Sequence, residues 1–160
     1  MMSKKILITY FSVFPAKDKF TEKFAKVIAK KTGGDMVEIQ CATRYPQTPE
    51  EYPQIEAMAY EERDTDARPA IINEIPVDDY DVIFVGYPIW WYDMPQLMYS
   101  FFSEYDLSEK TIIPFNSHGG SGFSGSVAEI AELEPDATVR TDGLTLSRNV
   151  VADSEDRIVT

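Results

Sequence analysis

Apolar residues follow two alternating rhythms along this chain. "KILITYF" (5–11) is an Ile-rich run about as long as one strand. Phe20, Phe24, Val27 and Ile28 then recur at i, i+4, i+7 and i+8, which predicts a helix over 18–31 with one apolar face. Gly33 and Gly34 stand where such a helix takes its C-cap. "DMVEIQ" (35–40) predicts a second strand. Residues 41–75 are less regular. "TPEE" (48–51) has the form of a helix start, with Thr48 as N-cap, Pro49 in the first turn and Glu51 three residues past the cap. The pattern behind it is weak, resting on Ile55, Met58 and Ala59, and "EERDTDARP" reads as a solvated charged segment. A polar surface helix ending before Pro69 is the expectation.

"DVIFVGYP" (81–88) is nearly unbroken in its apolar character, which predicts a strand buried on both faces. A clear helical stripe follows in Met94, Leu97, Met98, Phe101, Phe102 and Tyr105, read as core. Asp93 can cap that helix, with Gln96 three residues on and Pro95 in the first turn. "KTIIPF" (110–115) predicts a fourth strand, "SVAEIAEL" (126–133) a short helix, and "ATVRTDGLTL" (137–146) a fifth strand. "SEDRIVT" (154–160) reads as the first turns of a last, curtailed helix. Strand and helix alternate five times without repeats or linkers. The expectation is one α/β domain over 1–160, a parallel sheet with helices on both faces. Ligands of such sheets bind beyond the carboxyl ends of the strands, where the strand order reverses.

Composition narrows the classes. At 160 residues and 44% hydrophobic content the chain can build a core. The net charge of −12 argues against nucleic acid and anionic membranes, and favours protein partners with a basic face. The apolar run behind Lys4 and Lys5 is too short for a signal peptide, and no run approaches the roughly 20 apolar residues of a membrane span. Cys41 is the sole cysteine and His118 the sole histidine, so no internal disulfide or His/Cys metal cluster is expected. A cytoplasmic location follows as the expectation.

Three loops should meet at the carboxyl edge: Ser12–Lys17, Gly86–Asp93 and Asn116–Gly125. The second gathers Tyr87, Trp90, Trp91 and Tyr92, a platform for a flat aromatic ligand or an apolar seam between two copies. The third, "NSHGGSGFSGS", has Gly119, Gly120, Gly122 and Gly125, whose backbone can approach a ligand closely. Within it Gly120, Gly122 and Gly125 match the dinucleotide fingerprint, with Asp142 about 20 residues on. That match is a decoy, because Asn116 to Gly119 separate the strand from its first glycine.

"GYPIWW" (86–91), "SHGGSG" (117–122) and "YDLSEKTIIPF" (105–115) together resemble the flavodoxin family, and within it short bacterial flavodoxin-like proteins. The resemblance covers nearly the whole chain. It implies a three-layer sandwich, a five-stranded parallel sheet of order 2-1-3-4-5, and FMN at its carboxyl edge. Pro88, Ile89, Trp90, Trp91 and Tyr92 would lie along one side of the flavin ring. Ser117, His118, Gly119, Gly120 and Phe123 would lie around the other side and the pyrimidine edge. Aromatic rings in a strongly acidic protein disfavour added negative charge, which lowers the flavin's potential.

The first loop departs from this pattern. Family members resemble S-x-T/S-G-N-T, whose hydroxyls and amides cradle the FMN phosphate at a helix N-terminus. Aligned without gaps, Ser12 is kept, but the cradle positions become Phe14, Pro15, Ala16 and Lys17. Lys17 offers a point charge and the helix dipole remains. Three functions fit the residues. The first is an FMN-binding, low-potential electron carrier serving redox partners. The second is a flavin-dependent NAD(P)H:quinone-type reductase, with Tyr45 and Tyr60 near the ring. The third is a flavodoxin fold that no longer holds flavin. A homodimer is compatible with each.

Overall fold

The computed structural model describes residues 5–11, 20–42, 52–88, 94–118, 126–140 and 144–147. Strands β1 (Ile6–Tyr10), β2 (Asp35–Glu38), β3 (Val82–Pro88), β4 (Thr111–His118), β5 (Thr138–Val139) and β6 (Leu144–Ser147) all pair in parallel. Their order is 2-1-3-4-5, with β6 also paired to β4. Helices α1 (Phe20–Thr32), α2 (Tyr52–Asp64), α3 (Gln96–Glu104) and α4 (Ser126–Leu133) make the crossovers.

Alternation along the central strands sends side chains into two separate cores. Leu7, Ile83, Val85, Tyr87 and Ile112 point to the face packed by α2, α3 and α4. Ile8, Tyr10, Phe84 and Phe115 point to the face packed by Phe24, Ala25 and Ile28 of α1. Burying a side chain such as Phe24 or Phe101 contributes about 1.5–3 kcal/mol. The stripe on α3 is core as expected: Met94, Leu97, Met98, Phe101 and Phe102 are buried. The half-buried Tyr105 uses its hydroxyl to accept the Ile75 amide at 3.0 Å.

Helix α1 ends as the sequence indicates. Gly33 takes φ +74 and donates its amide to the Ala29 carbonyl at 2.8 Å, which closes the last turn. Helix α2 is real despite its weak pattern, because Ile55 and Ala59, one turn apart, are both buried.

Two boundaries differ from the sequence reading. Strand β4 runs on through Asn116, Ser117 and His118, residues read as loop. There Asn116 and Ser117 pair with Tyr87 and Pro88 on one side, and Ser117 and His118 with Leu146 and Ser147 on the other. The expected fifth strand comes in two pieces, and Pro114 gives the reason. The carbonyls of Lys110 and Ile112 accept the amides of Thr138 and Arg140 at 2.8 and 2.9 Å, so alternate β4 residues face β5. Pro114 is next in that series and has no N–H. The fifth strand is interrupted beside it: β5 ends at Val139 and β6 takes up β4 again from Phe115.

Among the described residues no helix is long and apolar enough to cross a membrane. The tail helix expected over 154–160, the Thr48–Glu51 cap, Asp93, Asp142 and Tyr45 lie outside the described residues.

Candidate functional site

The switch in strand order falls between β1, whose chain proceeds outward to β2, and β3, which leads the other way to β4. At that point the carboxyl ends of three strands lie side by side. Phe11 donates its amide to the Gly86 carbonyl at 3.0 Å, joining the end of β1 to β3. Pro88 pairs with Ser117, joining the end of β3 to β4. The three loops singled out in the sequence thus leave from neighbouring strands. Ser12, Lys17, Ile89, Trp90, Trp91, Tyr92, Gly119, Gly120 and Phe123 lie outside the described residues. Of the expected site residues, Pro88, Ser117 and His118 are placed by their backbone at the tips of β3 and β4.

Gly86 governs the packing beneath this edge. It pairs with Tyr10 on one side and Phe115 on the other. The Phe115 ring lies where a Cβ on residue 86 would project, so a side chain there would collide with a fully buried ring. Phe115 in turn meets Phe24 of α1 with ring centroids 5.0 Å apart. One glycine therefore lets β4 reach across β3 and dock on α1.

Tyr87 belongs to the core, not to an aromatic platform. It is fully buried, and its hydroxyl lies 2.8 Å from the buried Ser126 hydroxyl at the start of α4. The period-two pattern carries the reason: Tyr87 continues the inward series of Ile83 and Val85.

The first turn of α1 holds residues that the ungapped comparison missed. Helix α1 is described from Phe20, and Thr21 and Glu22 stand in the first turn of that described part; the expected start at Asp18 lies outside the described residues. Thr21 is buried at 2% exposure. A hydroxyl just ahead of the Phe24–Ile28 apolar face was the available signal. Tyr10, at the end of β1, donates its hydroxyl to Glu22 Oε1 at 3.4 Å. Burial, then the charges of Glu22 and Glu38, push the Tyr10 phenol above its ordinary range, so it stays a donor.

Gln96 differs from expectation as well. Pro95 holds the N-cap position of α3, with no side-chain cap bond. The Gln96 amide nitrogen donates instead to Asp66 Oδ1 and the Ala67 carbonyl, both at 3.2 Å.

The sequence matches the flavodoxin family over residues 5–158. This chain belongs to the flavodoxin family. Among solved structures it is similar to a protein described as a flavoprotein from Bacteroides eggerthii, at 28% identity and TM-score 0.79, covering 98% of this chain and 94% of that one. It shares its fold with a flavoprotein in complex with FMN from Lactobacillus acidophilus, at 18% identity and TM-score 0.70, covering 94% and 97%. An azoreductase from Bacillus anthracis shares the fold more distantly, at 14% identity and TM-score 0.51, covering 98% and 93%. No curated protein matches. The order 2-1-3-4-5 expected of a flavodoxin is the order observed.

Proposed function

We propose that this flavodoxin-family protein binds FMN at the carboxyl edge of its sheet and serves as a low-potential electron carrier. The observation that carries the reading is the meeting of the ends of β1, β3 and β4 at the switch point. A flat ring would bind beyond the adjoining tips of β3 and β4, which end at Pro88 and His118. Pro88, Ile89, Trp90, Trp91 and Tyr92 would line one side. Ser117, His118, Gly119, Gly120 and Phe123 would line the other. The FMN complex of the Lactobacillus protein, built on the same fold, supports that choice of cofactor. When bound, FMN supplies the electron transfer; the chain's residues bind it, orient it and keep water from its ring. The net charge of −12 disfavours added negative charge in the site, which suits a donor at low potential. A redox partner with a basic face would complement that field.

The phosphate end is the weaker half of the site. Ser12, Lys17, Thr21 and the α1 dipole would hold the phosphate. Glu22 in the same turn opposes it electrostatically, though the Tyr10 hydroxyl engages its carboxylate. That carboxylate is what favours the second reading, a flavodoxin fold without flavin.

Absorbance and melting decide between them. The first reading expects a yellow purified protein, or a Tm that rises on adding FMN. A colourless protein whose Tm ignores FMN would overturn it. Turnover of a nicotinamide donor with a quinone would replace the carrier by a reductase.

A further inference from the structure

Helix α2 ends in a turn of unusual composition. Asp66 donates its amide to the Arg63 carbonyl at 3.2 Å, and Ala67 to the Glu62 carbonyl at 2.8 Å. These are the two bonds of a Schellman motif, and its left-handed position normally holds glycine. Here Asp66 fills it at φ 52. A non-glycine residue in that conformation carries backbone strain, which aspartate tolerates better than most. A glycine would suit the turn better as backbone, but it would offer no carboxylate.

That carboxylate has a use. It accepts the Gln96 amide at 3.2 Å, and the next carbonyl, of Ala67, accepts the same nitrogen at 3.2 Å. Arg68 steadies the turn through the same two acceptors. Its Nη1 donates to Asp66 Oδ1 at 2.7 Å and to the Ala67 carbonyl at 3.1 Å. Its guanidinium carbon lies 5.1 Å from the centre of the Tyr99 ring, one helical turn beyond Gln96. The turn therefore grips α3 at residues 96 and 99.

The two grips are unequal. Arg68 is 42% exposed, so solvent weakens its contact with the Tyr99 ring and that grip adds little. Gln96 is 5% exposed, and a buried amide is costly unless it is hydrogen-bonded. A Leu or Met could have filled this space without that requirement. What the amide adds is direction, because it fits only when the first turn of α3 sits at one height against the 66–67 turn.

We propose that Gln96 is a positioning residue for the ring end of the flavin site, fixing through Asp66 and Ala67 where the chain enters α3. The inference rests on the flavin reading above. The connection from β3 to α3 has one end held by the Pro88–Ser117 rung of the sheet. Its other end passes through the buried Met94 and Pro95 to Gln96. Ring contacts made between those ends depend on both anchors, and the second is set by a side chain.

Two variants test this in the full chain. Gln96→Met keeps the length and the burial and removes the donor. Asp66→Gly relaxes the left-handed residue and removes the carboxylate, so it should hold or raise Tm. Amide exchange is read at Met94–Tyr99 without flavin. Affinity, visible spectrum and fluorescence quenching are read with FMN and riboflavin. In Gln96→Met we expect exchange about tenfold faster, and both flavins about fivefold weaker and less quenched, the size of a lost hydrogen bond or two. Asp66→Gly should shift the flavin spectrum the same way while its Tm does not fall, an outcome that simple loss of stability would not produce. Unaltered exchange in both variants, or unaltered spectra in a flavin-binding protein, overturns the positioning role. If exchange quickens but the unmutated protein binds neither flavin, the flavin reading falls and the role in a flavin site falls with it.

Discussion

At the ring end of the carboxyl edge, β3 and β4 pair continuously from Val82–Thr111 to Pro88–Ser117. Tyr87 ties β3 to α4, and Gln96 ties α3 to the turn after α2. At the phosphate end, β1 is tied to the first turn of α1 by the longer Tyr10–Glu22 bond at 3.4 Å. That turn also carries the Glu22 carboxylate, which would oppose a phosphate bound as proposed. The ring end grows out of a framework fixed by sheet rungs and buried bonds. The proposed phosphate end would rely on a helix dipole with the Glu22 charge close by. The expectation is a protein that recognises its flavin chiefly by the ring.

The largest perturbation strikes what the two ends share. Gly86→Ala drives a methyl into the Phe115 ring, which is fully buried against Phe24. Overpacking of this kind costs about 1–3 kcal/mol, so Tm should fall and both flavins should weaken together. A Tm equal to the unmutated protein's would mean that Phe115 has room to move.

Next comes Tyr87→Phe, which leaves the buried Ser126 hydroxyl without the partner 2.8 Å away. A loss of about 1 kcal/mol in chemical denaturation is expected, with flavin affinity reduced equally for FMN and riboflavin. An effect confined to FMN would contradict the assignment of this contact to the ring end.

Glu22→Gln probes the other end and should be gentler. Removing one charge near the phosphate should tighten FMN by about two- to fivefold at low salt and leave riboflavin unchanged. Titration of both ligands checks it, and equal change for both would place the Glu22 effect on the ring.

The smallest effect serves as a control far from the edge. Burial, then Asp106 and Asp136, push the Glu134 carboxyl from its ordinary 4.5 up to about 7. Between those values the folded protein holds more protons at this site than the unfolded chain, so the contribution of Glu134 to stability is greatest below 4.5 and is lost as pH rises to about 7. Glu134→Gln should remove that slope, a difference of about 1–3 °C in Tm, with flavin binding unaltered.

The parts of the fold that were legible in the sequence are those where burial writes directly into residue type. Strand β3 is covered on both faces and reads as an unbroken apolar run. The α3 stripe and the Gly33 cap follow from local periodicity and backbone freedom. The misses arise where partners distant in sequence override local character. Asn116–His118 are polar, yet pairing on both sides makes them strand. Tyr87 sits in an aromatic cluster by sequence and in the core by alternation. Gln96 completes a capping pattern on paper, while its partners lie 30 and 29 residues away at Asp66 and Ala67. The ungapped loop comparison stopped at Lys17 and so passed over Thr21 and Glu22, near the start of the described part of α1. The choice of three loops, by contrast, depended only on strand order, and their bases do adjoin.

The central claim is that the ring end carries recognition. Parallel titration of the purified protein with FMN and with riboflavin, at low and moderate salt, tests it most directly. With recognition at the ring end, both flavins bind, their affinities agree within about tenfold, and salt weakens FMN only slightly. FMN binding more than about a hundredfold tighter than riboflavin would show an intact phosphate cradle and contradict the account. Binding of neither would remove the flavin site altogether.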